Sequence, residues 1–183
     1  MSEKLSHVRK ALYGVPWAIT EHWLEAICEI YENHAAGRVI EFQKPEASMR
    51  AESGTMPIEP YQVVNGVAVL PLMGPIFPRA NLMTKLSGAT SLQDWGAKFD
   101  QAMEDPNVST ILMHIDSPGG SVVGLSEMAS HIFEERSTGN KMIASLIEGM
   151  GCSAAYMLAS QAELCVCTEG SMVGSIGTIM KID

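Results

Sequence analysis

Beyond residue 60 the hydrophobic positions alternate between helical and strand-like spacing. Segments with an apolar residue every three or four positions predict helices over 91–105, 121–136 and 154–162. Short apolar runs predict strands over 110–115, 142–147, 164–167 and 173–180. The dipeptide Asn65-Gly66 between two valine-rich runs predicts an opening β-hairpin. This order is typical of an α/β domain whose mostly parallel sheet is covered on both faces and holds ligands at the carboxyl ends of its strands.

The N-terminal part has a different pattern. One amphipathic helix is predicted over 20–36. Residues 44–60 contain three prolines, three glutamates and no apolar period, which predicts a linker. We therefore expect a helical extension over 1–43, a linker over 44–60 and one main domain over 61–183.

Composition and charge exclude several classes of protein. The chain has 12 basic and 21 acidic residues, a net charge of −9, and 46% hydrophobic residues. The apolar fraction is sufficient for a packed core, and the negative charge argues against nucleic acid as a partner. No apolar window reaches the roughly eighteen residues of a membrane span, and the N-terminus lacks a signal-peptide pattern. We therefore expect no membrane anchor in this chain and a cytoplasmic location.

The four cysteines do not have the spacing of a metal or redox site. Cys165 and Cys167 alternate within a run that is predicted to be a buried strand. We therefore expect reduced thiols that serve as small core residues. The sequence has no H-E-x-x-H motif, phosphate-binding loop or metal-ligand cluster, so no metal or cofactor is expected.

Two glycine-containing turns follow strands and precede helices, which places them on one edge of a parallel sheet. The second turn presents Ser153 at a helix N-terminus, where backbone N–H groups favour a developing negative charge. An ordinary N-cap serine is the alternative interpretation. The first turn, Ser117-Pro118-Gly119-Gly120, allows close backbone approach, as an oxyanion hole requires, but it is also compatible with a plain type II turn.

A general base for Ser153 is not evident from the residues alone. No histidine follows Ser153, so the α/β-hydrolase order of triad residues cannot be completed in this chain. His114 and His131 are predicted to be structural. A lysine is the other common base, but Lys141 and Lys181 are both weak candidates by position.

A dinucleotide site is a rival interpretation of the second turn. Residues 149–154 fit G-x-G-x-x-G/A, and Glu169 follows at the distance of a ribose-binding acid. The pattern usually opens the first strand–helix unit of its fold, whereas here another unit precedes it.

Three ordered motifs resemble the signal peptide peptidase A family of serine peptidases, within the Clp protease/crotonase superfamily. The first motif comprises residues 105–108 and Asp116-Ser117-Pro118-Gly119-Gly120-Ser121. The second is Gly151-Cys152-Ser153-Ala154-Ala155-Tyr156, and the third is Gly174-Ser175-Ile176-Gly177. The fold that this resemblance implies is built from repeated β-β-α units.

The resemblance also implies roles for individual residues. Ser153 is the expected nucleophile, and Ser175 is expected to orient a lysine base. The oxyanion hole is expected to use the backbone N–H groups of Gly119 or Gly120 and of Ala154. In the family that lysine lies well downstream of the nucleophile, past Asp183. We therefore expect a truncated, nearly inactive chain.

The family binds extended polypeptides as an added strand beside the oxyanion turn. Ser117, Pro118 and Met150 are the expected substrate contacts, and Met157 and Leu125 are candidates for the pocket wall. Without a membrane anchor, the chain is most similar to the phage branch, which matures capsids by cleaving scaffold and portal-associated proteins. A homo-oligomer in the host cytoplasm or the virion is then expected.

Three other functions stay open at this point. One is a cytosolic cellular protease of the same family. Another is a crotonase-like enzyme that binds acyl-CoA and needs no serine at position 153. The third is a non-catalytic capsid assembly protein.

Overall fold

The computed structural model describes residues 9–10, 12–37, 61–80 and 88–181. Ten strands and four helices are defined in these ranges. The strands are β1 (Trp17–Ile19), β2 (Gln62–Val64), β3 (Val67–Met73), β4 (Ile76–Phe77), β5 (Thr90–Ser91), β6 (Thr110–Ser117), β7 (Gly119–Ser121), β8 (Met142–Cys152), β9 (Leu164–Cys167) and β10 (Met172–Gly174). The helices are α1 (Glu21–Ala35), α2 (Leu92–Glu104), α3 (Leu125–Thr138) and α4 (Ala154–Ala159).

The main sheet has six strands and is mostly parallel. Strands β3, β6 and β8 run parallel, and β2 pairs antiparallel with β3 at one edge. At the other edge β9 and β10 pair in parallel with successive halves of β8. The unit β6-β7-α3 has the order strand, short strand, helix, and in the preceding unit two short strands, β4 and β5, come between β3 and α2. The predicted α/β class with β-β-α units is therefore confirmed.

A second, smaller sheet carries the glycine turn. Its order is β1-β7-β4-β5, in which β1 pairs antiparallel with β7 while β4 and β7 are parallel. Strand β1 comes from the predicted N-terminal extension and was not predicted as a strand. The extension therefore contributes directly to the sheet that contains residues 119–121.

Helices α2 and α4 pack against one face of the main sheet, and α3 packs against both of these helices. Residues Ile111, Met113 and Ile115 of β6 are fully buried together with Phe99 of α2 and Leu158 of α4. Alternate residues of a strand point to opposite faces, which explains why this single face forms the core.

The opposite face of β6 is only partly covered in the described residues. Leu112 and His114 are half-buried and Asp116 is exposed. The expectation that the sheet is covered on both faces is therefore met only in part within the described residues. The sequence pattern could not show this, because Leu112 and Ile111 are equally apolar while only one of them meets a helix.

Most predicted element types agree with the structure, although several boundaries move. The hairpin at Asn65-Gly66 is present, with positive φ angles of 51° and 79° at its two turn residues. The predicted second turn is instead the end of β8, which continues to Cys152. The strand predicted over 173–180 is short, since β10 ends at Gly174.

Strand β9 contradicts the prediction of buried cysteines. Cys165 and Cys167 are exposed, as are the other residues of this edge strand, whereas Cys28 and Cys152 are buried. All four are free thiols. An apolar run predicts a strand but not whether another element covers it.

The N-terminal segment forms a second hydrophobic cluster. Trp17 of β1 packs edge-on against Phe77, with ring centroids 5.7 Å apart, and Ile27 and Tyr31 of α1 complete the contact. The predicted linker over 44–60 lies outside the described residues. None of the described helices is both long and apolar enough to cross a membrane.

Candidate active site

Ser153 lies between the end of β8 and the first residue of α4. Its backbone has φ 53° and ψ −112°, a conformation that non-glycine residues rarely adopt. It is 6% exposed, and its side chain does not cap the helix. The N-cap interpretation of the side chain is therefore wrong. A serine held in a strained turn before a helix has the arrangement of a nucleophile elbow.

Two glycines of the third motif hold Ser153 through their carbonyl groups. The Ser153 N–H donates to Gly174 O at 2.7 Å, and Ser153 Oγ donates to Gly177 O at 3.0 Å. Ser175 lies between these glycines, also at a positive φ of 53°, and is exposed. The third motif therefore surrounds the serine, and the assignment of Ser175 as the residue that orients the base stays a prediction.

The neighbouring Cys152 is a buried thiol. Burial raises the pKa of its thiol, which disfavours the reactive thiolate. Its Sγ also donates to Met172 O at 3.5 Å.

The glycine turn after β6 lies directly beside the end of β8. Gly119 has φ 105°, and a Cβ at this position would lie 3.0 Å from Cys152 O. The Gly119 N–H donates to the buried Ser117 Oγ at 3.2 Å. Ala154 is the first residue of α4, so its N–H has no carbonyl partner within the helix. The predicted oxyanion residues and Ser153 are thus brought to one place, and their roles stay predictions.

Strand β1 occupies the edge of β7 next to this turn. Ala18 pairs with Gly120, and Ala18 O would clash with any Cβ on Gly119. On its other edge Trp17 exchanges two backbone hydrogen bonds with Ile179, at 2.8 and 2.9 Å. Strand β1 therefore lies between the glycine turn and the segment that follows Gly177.

The candidate bases are placed in other contacts. The Lys141 ammonium donates to Ala102 O at 2.8 Å and Asp105 O at 2.5 Å, at the end of α2. The Lys181 carbonyl accepts from Gly14 N at 2.9 Å, and its ammonium lies close enough to Cys28 to oppose part of the rise in the pKa of that thiol. His114 and His131 pair with carboxylates on the protein surface, at 2.9 and 2.6 Å, as their predicted structural role implies.

The predicted substrate contacts have different degrees of exposure. Ser117 and Pro118 are fully buried, and Pro118 O accepts from Thr20 N at 3.2 Å. Met150 is half-buried and Met157 is 37% exposed, whereas Leu125 is part of the core.

Sequence reasoning missed two features of the site. Trp17-Ala18-Ile19 forms a strand, but three apolar residues after Pro16 were the only signal for it. Asp116, for which the sequence indicates only a place in the first motif, accepts a hydrogen bond from Met150 N at 2.9 Å. Such a contact joins residues far apart in the chain, and no local pattern predicts it.

One protein-family model matches the C-terminal part of this chain. Residues 134–183, which contain Ser153 and Ser175, match the model of Peptidase family S49. The predicted family relationship is confirmed. The S49 match starts after the glycine turn, so residues 117–120 lie outside it.

Two phage proteins are similar to this chain over longer stretches. The head-tail preconnector protein GP5 of Enterobacteria phage P21 is 32% identical over 192 residues, which cover 99% of this chain and 38% of that protein. Capsid assembly protease C of Escherichia phage lambda is 37% identical over 129 residues, covering 70% of this chain and 29% of that protein. The chain thus spans less than two-fifths of either relative.

Solved structures with a likeness to this chain include an enoyl-CoA hydratase/isomerase family member. The TM-score is 0.43 at 16% identity, covering 62% of this chain and 48% of the other.

Proposed function

We propose that this chain carries the nucleophile and oxyanion elements of a serine endopeptidase that uses a Ser-Lys dyad. The observation that carries this proposal is the strained Ser153, at φ 53° before α4, beside the glycine turn at residues 117–120. The match of residues 134–183, which contain Ser153, to a peptidase family model supports the same choice.

The proposed reaction is acyl transfer to Ser153. A lysine amine takes the proton of Ser153 Oγ as the oxygen attacks a peptide carbonyl carbon, and backbone N–H groups stabilise the resulting oxyanion. Collapse of this intermediate breaks the C–N bond, and the lysine returns its proton to the leaving amine. Water then hydrolyses the acyl-enzyme by the same proton route. For this to start, Ser153 Oγ must exchange its hydrogen bond to Gly177 O for one to the base.

The proposed substrate is an extended polypeptide. Its carbonyl reaches the oxyanion donors most directly if the peptide lies along the edge of β7, because strand addition aligns a peptide backbone with that of the turn. Residues 17–19 occupy that edge in this structure. A substrate strand must therefore displace β1 or bind where β1 has moved away.

The biological role proposed is maturation of a phage capsid, with scaffold, capsid or portal proteins as substrates and a homo-oligomer as the active form. The similarity to a capsid assembly protease and to a head-tail preconnector protein supports this role. The corresponding location is the host cytoplasm or the virion.

The experiment compares this 183-residue chain with a gene-encoded form that continues past Asp183. The longer form should hydrolyse an unstructured polypeptide such as casein, and Ser153→Ala should abolish the hydrolysis. Ser160→Ala is the matched control, since Ser160 is an exposed serine at the end of the same helix. Full activity in Ser153→Ala, or no lysine in the longer form whose substitution stops hydrolysis, would refute the Ser-Lys proposal.

A further inference from the structure

The parallel pairing of β6 and β8 changes register immediately before the nucleophile. Ile115 pairs with Ile147, but Ser117 pairs with Gly151, so the single residue Asp116 faces three residues of β8. Residues 148–150 therefore form a bulge with two extra residues in β8.

The side chain of Asp116 fills this bulge. Asp116 Oδ1 accepts the backbone N–H of Met150 at 2.9 Å. Gly149 has φ 100°, and a Cβ there would lie 2.5 Å from the same oxygen. The carboxylate thus fits against the Cα of Gly149 only because position 149 has no side chain.

The other side of the bulge is held by Ser171. Its Oγ accepts the Gly149 N–H at 3.3 Å and donates to Ile147 O at 3.0 Å. The hydroxyl of Thr168 lies 2.7 Å from the same Oγ. The bulge is therefore fixed from both neighbouring segments.

The bulge determines where Ser153 lies. Strands advance about 3.3 Å per residue, so without two extra residues the end of β8 would shift by about 6–7 Å relative to the glycine turn. With the bulge, Cys152 O reaches the position beside Gly119. The register of Ser153 against the turn is thus set three to five residues upstream of it.

We propose that Asp116 is a positioning residue for the nucleophile: its carboxylate, seated on Gly149, holds the β8 bulge that aligns Ser153 with the turn at 117–120. This inference rests on the proposed peptidase function. The relevant property is an acceptor at the position of Oδ1, not the negative charge. The substitution Asp116→Asn retains such an acceptor and Asp116→Ala removes it, whereas Asp116→Glu keeps the charge but moves the oxygens by one methylene.

The first test uses the 183-residue chain and does not depend on catalysis. Hydrogen exchange of the Met150 amide, followed by NMR, should accelerate at least about tenfold in Asp116→Ala. Loss of a hydrogen bond that contributes about 1.4 kcal/mol raises the exchange rate by one factor of ten. Asp116→Asn should retain the protection. His114→Ala is the matched control, because the His114–Glu148 contact links the same strands through side chains only. Unchanged exchange in Asp116→Ala would overturn the proposal.

The second test uses the longer form that hydrolyses casein, with rates normalised to active sites titrated by a fluorophosphonate. Asp116→Ala and Asp116→Glu should lower kcat by roughly tenfold to a hundredfold with KM changed by less than about threefold, and Asp116→Asn should stay near wild type. If Asp116→Ala does not fold, Asp116→Glu decides the outcome. Wild-type kcat in Asp116→Glu, or equal loss in Asp116→Asn, would refute a role for the acceptor position. If Ser153→Ala still hydrolyses casein, the peptidase proposal is refuted. The hydrogen-exchange rate of the Met150 amide would still test the role of Asp116 in the bulge.

Discussion

The hydroxyl of Ser153 donates its hydrogen bond to the carbonyl oxygen of Gly177, 3.0 Å away. A carbonyl oxygen can accept a hydrogen bond but is too weak a base to remove the proton, so this arrangement holds the serine without activating it. The same residue carries a backbone conformation that costs about 1–3 kcal/mol for a residue with a Cβ. Ser153 is thus both strained and unactivated in this structure.

This strain predicts an unusual effect of glycine on stability. Ser153→Gly and Ser153→Ala both lose the hydroxyl, but only glycine adopts φ 53° and ψ −112° without strain. Ser153→Gly should therefore be more stable than Ser153→Ala by about 1–2 kcal/mol in urea unfolding. The control is the same pair at the exposed helical Ser130, where glycine should be the less stable variant by about 1 kcal/mol. Equal stability of the two variants at position 153 would contradict the strained conformation.

The position of β1 makes a prediction about substrate access. Ala18→Pro removes a backbone donor from the strand that pairs with β7, so it should weaken that pairing and raise kcat/KM of the longer form on casein. Val63→Pro is the control, because it places a proline in edge strand β2 of the other sheet, away from β7. A folded Ala18→Pro variant with lower kcat/KM would indicate that β1 forms part of the productive site.

The acid sensitivity of the fold should depend on Asp105. The backbone N–H of Asn107 lowers the pKa of Asp105, and the Tyr61 hydroxyl and the Lys141 ammonium lower it further. A folded-state pKa below the unfolded value gives stabilisation that is complete above the unfolded pKa and is lost as pH falls through the folded one. Asp105→Asn should therefore lose less of its unfolding free energy than the wild type between about pH 5 and pH 2. Glu134→Gln is the control: it removes one exposed carboxylate, and its unfolding free energy should vary with pH as that of the wild type does. If Asp105→Asn also shows the wild-type dependence on pH, the prediction is wrong.

Thiol reactivity should separate the cysteines into two pairs. Cys165 and Cys167 are exposed, while burial raises the pKa of Cys28 and Cys152. Ellman's reagent at pH 8 should therefore modify two thiols rapidly and the other two only after unfolding. The double variant Cys165→Ser/Cys167→Ser should lose the rapid phase. If fewer than two thiols of the wild type react rapidly, β9 is covered in solution. Self-association of the chain would produce such a cover.

Local patterns were sufficient for most element types. Helix α2 was predictable because Trp95 and Phe99 share one face and Ser91 caps the first turn by accepting from Asp94 N at 3.2 Å. The hairpin was predictable because Asn65 and Gly66 tolerate positive φ angles. In each case the deciding interactions connect residues that are close in the chain.

Burial was less predictable than secondary structure. Strand β9 was expected to be buried because its residues are apolar, but in this structure it is an exposed edge of the sheet. Hydrophobicity makes burial favourable, yet the covering element must come from elsewhere in the chain or from another chain. The contact of β1 with β7 was missed for the same reason, since about one hundred residues separate Ala18 from Gly120.

By itself, the sequence determined the α/β class, the hairpin, the helices and the residue types of the candidate site. Periodicity, turn preferences and three motifs are local properties, so they can be recognised in one chain without coordinates. Only the tertiary structure decided how Ser153 aligns with the glycine turn, what occupies the edge of β7 and which cysteines are exposed. These features depend on strand register, on the Asp116–Gly149 contact and on long-range packing. All three arise from contacts between segments that are far apart in the chain, and no local pattern encodes them.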